Sequence, residues 1–157
     1  MHKTRHDLPV KTRQAIVKQL NEHLATLFDL ALQAKQAHWN TRGPNFSALH
    51  RLYDDIADKA LSQVDLLAER IGQLGGSVAS NAQTIARKSH LTPLSATLSR
   101  EKQLLTTMAR ALATTAKIMR QAIEETDDQD DEVTSDIATT ITRELDHLLW
   151  LVEAHLQ

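Results

Sequence analysis

The strongest constraint on the fold is an apolar rhythm of three and four residues that runs through most of the chain and breaks at few places. Leu20, Leu24, Leu27, Ala31 and Ala34 recur at that spacing, which lines one face of a helix with about 3.6 residues per turn. A first helix is therefore expected from about Thr12 to Asn40, with His38 next on its stripe. "TRGP" interrupts the rhythm. Leu49, Tyr53, Ile56, Ala60, Val64, Leu67 and Ile71 resume it, so a second helix is expected from about Asn45 to Leu74, stopped by Gly75 and Gly76. Between Ser77 and Thr97 the periodicity is short and Pro93 breaks it, which predicts a long connection holding one brief helix around Ala82 to Lys88. A third helix follows from about Leu98 to Thr126, with Leu105, Met108, Leu112, Thr115 and Met119 on one face. The acidic run "DDQDDEVTSD" ends it, and Thr134 to Leu156 forms a fourth.

Four long helices, one long crossover and no strand-like alternation predict an all-α, up-down four-helix bundle, with a short helix in the crossover between the second and third helices. The 157 residues suit a single domain, residues 1–157, of which 1–10 form a short N-terminal tail. Aromatic residues are only 3% of the chain, so aliphatic side chains must fill the core. The absence of cysteine excludes disulfides, thiolate metal sites and cysteine nucleophiles. Any metal must be held by His, Asp and Glu. A net charge of -2 gives no global attraction to nucleic acid or to an anionic membrane. No apolar run approaches the roughly 18 residues that span a bilayer, so a soluble, unexported protein without a membrane partner is expected.

The second helix carries the informative polar residues. Winding it at about 100° per residue with His50 at zero places Asp54 near 40°, Asp65 near 60° and Glu69 near 100°. The apolar stripe centres near -90°, and Arg51, Asp55, Lys59 and Arg70 lie on the far side, between about 100° and 200°. Ala57, Leu61, Ala68 and Gly72 flank the four candidate ligands, which makes that flank a second buried face and predicts another subunit against it. A rise of about 1.5 Å per residue separates Asp54 from Asp65 by roughly 16 Å along the axis, whereas one ion holds its carboxylate oxygens at about 2 Å. Within one chain they cannot share a metal. Two copies packed antiparallel about a two-fold axis bring His50 and Asp54 of one opposite Asp65 and Glu69 of the other. His38 can lean to the same point, giving an imidazole and carboxylate shell suited to iron, manganese or zinc.

Each of these residues has a plainer reading, because His and Asp at one-turn spacing are common on solvated helix faces; their joint placement on one arc favours a site. A di-iron centre inside the bundle would need two Glu-x-x-His pairs. Only one is present, Glu144 with His147, so it reads as a surface pair.

The segments "KQAHWN", "RGPNF", His50 with Asp54, Asp65 with Glu69 and Arg70, "QLGG" and "RELDHLLWLVEAH" together resemble the Dps family, the miniferritins of the ferritin-like superfamily. The resemblance runs from about Leu8 to Gln157. It implies a hollow homododecamer with ferroxidase centres at its two-fold interfaces, built from His38, His50 and Asp54 of one subunit and Asp65 and Glu69 of its partner. It further implies an enzyme that oxidises Fe(II), preferentially with hydrogen peroxide over oxygen, and stores ferric oxide in the cavity, protecting DNA from hydroxyl radical.

Trp39 resembles a family tryptophan that intercepts stray oxidising equivalents; packing at the interface is the alternative role. Asp127, Asp128, Asp130, Asp131 and Asp136 resemble the segment lining an iron-entry pore, against the alternative of a solvated loop. A cytoplasmic location is expected. A nucleoid-associated, DNA-compacting protein with iron oxidation secondary is the alternative function, and it would rest on Lys3, Arg5, Lys11 and Arg13 of the N-terminal region, with Asp7 set against them.

Overall fold

The computed structural model describes all 157 residues and contains five helices: α1 Val10–Asn40, α2 Phe46–Gln73, α3 Ala82–Lys88, α4 Glu101–Asp127 and α5 Glu132–Ala154. The short α3 falls where the connection was expected to hold it. The four long helices pack chiefly as two pairs, α1 with α2 and α4 with α5. Every apolar residue of the three stripes named above is buried, and α5 adds Ile141, Leu145, Leu148 and Val152 to the same cluster.

Boundaries moved where a side chain or backbone group outside the helix decides them. α1 starts at Val10 because Pro9, with φ -54 and ψ 143, leads directly into it. α4 starts at Glu101, three residues after Leu98, because Arg100 is held in extended backbone by a bridge to Arg42. The Glu101 carboxylate then accepts from the Asn45 backbone N–H at 2.8 Å and from Asn45 Nδ2 at 3.1 Å. Gly43 is needed at this corner, since its φ is +135 and an added Cβ would lie 2.5 Å from Glu101 Oε1. α5 begins at Glu132, two residues early, because the Asp131 side chain caps it, accepting from Thr134 N–H at 3.1 Å.

The crossover runs the length of the bundle. It leaves α2 beside the start of α1, where Gly76 lies against Val17, and enters α4 beside the α1–α2 turn. α1 holds it at three levels. Asn21 bonds the Ser77 carbonyl and the Ala79 N–H, Asp29 accepts from the Ser89 hydroxyl, and Gln36 donates to the Leu94 carbonyl at 3.0 Å. These contacts satisfy backbone groups that an irregular segment would otherwise leave unpaired.

Candidate metal centre

α1 and α2 place His38 and His50 face to face. Their rings stack with centroids 3.6 Å apart, and Phe46 covers the other side of His50 at 4.9 Å. Each imidazole bonds the other residue's backbone: His38 Nδ1 donates to the His50 carbonyl at 2.7 Å and His50 Nδ1 to the His38 carbonyl at 2.9 Å. A carbonyl can only accept, so both Nδ1 atoms carry protons and both Nε2 lone pairs are left to ligate. Backbone bonds of this kind orient and tune imidazoles that bind metals.

Asp54 lies one turn along α2, with Oδ1 3.9 Å from His38 Nδ1 and in a short hydrogen-bonded ion pair with Lys35. The Lys35 hydrogen bond holds the Asp54 carboxyl below the usual carboxylate range. Lys35 was not singled out in the sequence. The available signal was its place one turn before His38, on the side of α1 that faces Asp54. Its ammonium also sits 5.8 Å from the centroid of the Trp39 ring.

Asp65 and Glu69 are exposed further along α2 and have no hydrogen-bond or ion-pair partner. No group of three His, Asp or Glu side chains within the chain could hold a metal ion. His38, His50 and Asp54 are thus brought together, and Asp65 and Glu69 are not brought to them. Around these residues the surface is apolar and open: Leu32 is 59% exposed, Trp39 66%, Phe46 44% and Leu61 44%. Gly72 continues that strip, and a Cβ placed on it would meet nothing within 4 Å. A glycine inside a helix costs about 1 kcal/mol relative to alanine, and nothing in this chain makes use of the space.

The acidic run divides. Asp127, Asp128, Asp130 and Asp136 are exposed, but Asp131 is 3% exposed. It is bound by Arg70 Nη2 at 2.6 Å and caps α5, so the expectation that it lines a pore is corrected: its carboxylate is turned inward to Arg70 and Thr134. Arg70 Nε also donates to Thr134 Oγ1 at 2.8 Å. The residue following Glu69 therefore ties α2 to the start of α5. Glu144 is paired with Lys59, and His147 is exposed beside Trp150, as expected of a surface pair.

Residues 17–157 match the family described as a ferritin-like domain. The DNA protection during starvation protein of Agrobacterium fabrum is 37% identical over 156 residues, covering 99% of this chain and 96% of that protein. The chain belongs to the Dps family. A Listeria innocua Dps protein is 30% identical over 138 residues, covering 87% of this chain and 88% of its own. Among solved structures, Mycobacterium smegmatis Dps in a tetragonal crystal form superposes with a TM-score of 0.93 at 28% identity, covering 100% of this chain and 94% of that one. The protein is thus a miniferritin of the Dps family with the all-α fold expected from its sequence.

Proposed function

We propose that this Dps protein is a ferroxidase and iron store whose centre forms between two subunits. The reading rests on one observation: two imidazoles with free Nε2 atoms and the Asp54 carboxylate stand at one end of an apolar, unpaired face, and Asp65 and Glu69 stand unpartnered at the other. A two-fold axis through that face gives each half its complement twice over.

Iron is the substrate. His38, His50 and Asp54 of one subunit, with Asp65 and Glu69 of the other, would bind Fe(II); this donor set also accepts zinc or manganese. Two Fe(II) ions give one electron each to one hydrogen peroxide, whose O–O bond breaks, and with two waters the products are two FeOOH units and four protons. Taking both electrons together avoids release of hydroxyl radical. The hydrated ferric product passes to the interior of a dodecameric cage in the cytoplasm. Asp127, Asp128, Asp130 and Asp136 present carboxylates that attract Fe(II) on its way in. Trp39, exposed next to His38 and beneath the Lys35 ammonium, is placed to give up an electron to a stray oxidant at the centre.

Stopped-flow oxidation of Fe(II), with peroxide and with oxygen in separate runs on protein of known assembly mass, tests the reading. Rapid oxidation to a soluble ferric product, faster with peroxide, supports it. Oxidation no faster than in buffer rejects it.

A further inference from the structure

The two imidazoles of the candidate centre sit on different helices, and their register depends on the turn that joins α1 to α2. That turn, residues 41–45, is gripped from outside by two consecutive residues at the start of α4. Arg100, in extended backbone, bridges Arg42 on one side of Gly43. On the other side the Glu101 carboxylate takes Asn45 with both oxygens: Oε1 accepts from the backbone N–H at 2.8 Å and Oε2 from Nδ2 at 3.1 Å. Gly43 makes room for it, since a Cβ there would lie 2.5 Å from Oε1. No Lys, Arg or His lies within ion-pair distance of Glu101, so Asn45 is its polar partner.

Asn45 departs from what its place in the sequence favours. An asparagine directly before a helix normally turns its side-chain oxygen onto the N–H groups of the first turn. Asn81 and Asp131, before α3 and α5, do so. Asn45 makes no such bond, and its amide is given to Glu101 instead. A local rule broken in favour of a distant contact is expected at functional sites.

What the contact fixes is the first turn of α2. Phe46 follows Asn45 and opens the helix, and its ring lies against His50 with centroids 4.9 Å apart and 29° between the planes. His50 in turn stacks on His38 at 3.6 Å. Phe46 is 44% exposed, so its ring is placed chiefly by the backbone that carries it. A chain of contacts thus runs from Glu101 through Asn45 and Phe46 to His50, starting on a helix that gives no ligand.

We propose that Glu101 is a positioning residue of the metal centre: by fixing Asn45 it sets the first turn of α2, and the Phe46 ring carried on that turn keeps the His50 imidazole in register with His38. The inference rests on the reading of His38, His50 and Asp54 as metal ligands. The plainer alternative, that Glu101 only stabilises the corner, predicts lower stability and an unaltered centre.

Titration of the assembled protein with Co(II), whose visible absorption reports the geometry of its ligands, tests it. Assembly mass and thermal unfolding verify that each variant is folded. Glu101→Ala should bind Co(II) about three- to tenfold more weakly and with an altered spectrum, a smaller loss than the roughly 10- to 100-fold that follows removal of a group bonded directly to a ligand. Glu101→Gln keeps an oxygen for the Asn45 N–H and should stay within about twofold of the intact protein. Phe46→Leu should match Glu101→Ala, and the two together should do no more than the larger single change, because they act through one contact. An intact spectrum and affinity in Glu101→Ala, equal losses in Glu101→Ala and Glu101→Gln, or losses that multiply in the double variant would each overturn the proposal. His50→Ala with Asp54→Ala separates the two readings. If that variant binds Co(II) as the intact protein does, the centre itself is misassigned and this role of Glu101 falls with it; if it loses Co(II), a failure of the Glu101 variants counts against the positioning role alone.

Discussion

His38 and His50 hold each other's imidazoles in place through reciprocal Nδ1 bonds to the partner residue's backbone carbonyl, at 2.7 and 2.9 Å. Phe46 stacks on His50 as well, and because each Nδ1 bond goes to a backbone carbonyl, losing one ring leaves the other its acceptor and removes only the stacking partner. His50→Ala together with Asp54→Ala removes two proposed ligands and is expected to slow the rapid phase of Fe(II) oxidation by at least about 10- to 100-fold, the loss that follows even when only a ligand's orienting partner is removed. Stopped-flow kinetics on assembled protein checks this; an unchanged rapid phase would remove these residues from the chemistry.

Lys35 competes with an incoming cation for Asp54. Lys35→Met should raise the affinity for Fe(II) or Zn(II), but by no more than about fivefold, because water screens an exposed ion pair and leaves it little net strength. Calorimetric titration with Zn(II) reads the change directly. A fall in affinity would instead mean that Lys35 holds Asp54 in its productive position.

His23 should make stability depend on pH. Both of its ring nitrogens are buried without a partner, and desolvation lowers its pKa to about 4, the charge of His90 pushing the same way and Glu22 opposing. The folded chain resists the proton that the unfolded chain takes up near pH 6.5. Stability is therefore unaffected above that pH and falls as pH drops from about 6.5 to 4, by about 3 kcal/mol per chain at most. His23→Leu should flatten that slope; thermal unfolding at pH 7 and pH 4.5 for both proteins is the measurement, and an equal loss in the two would assign the slope to other groups.

Arg70→Ala should be the most damaging single change away from the apolar core. It leaves Asp131, 3% exposed, without its cation, and breaking a buried pair from one side costs about 3–5 kcal/mol. Urea denaturation of the variant checks this. Neutralising Asp128, Asp130 and Asp136 should leave stability nearly unchanged and slow iron uptake at low salt, whereas Asp131→Asn should act on stability.

The contrast within the acidic run shows where the sequence ceases to be legible. Asp130 and Asp131 are neighbours of one residue type, and only the approach of Arg70, distant in the chain, separates them. The same holds for α4, whose periodicity allowed a start at Leu98 until the bridge from Arg100 to Arg42 moved it to Glu101. Stripes such as Leu49 to Ile71 were legible because a helix repeats its buried face regardless of its partner. The pairing of Lys35 with Asp54 was not, since it depends on how closely α1 and α2 approach. The helix geometry that separates Asp54 from Asp65 by roughly 16 Å needs no partner to evaluate, and from it the two-subunit centre follows.

That inter-subunit assembly is tested most directly by mixing two inactive chains. One carries His50→Ala with Asp54→Ala, the other Asp65→Ala with Glu69→Ala; each alone should form cages lacking rapid Fe(II) oxidation. Co-assembled in equal amounts, half of the two-fold pairs are mixed, and each mixed pair has one centre with all its ligands and one with none of the altered four intact. About one quarter of all centres are then complete, and rapid oxidation by peroxide should return at about one quarter of the unmodified protein's amplitude. If the mixed cages remain as inactive as their parents, the centre is not shared between subunits.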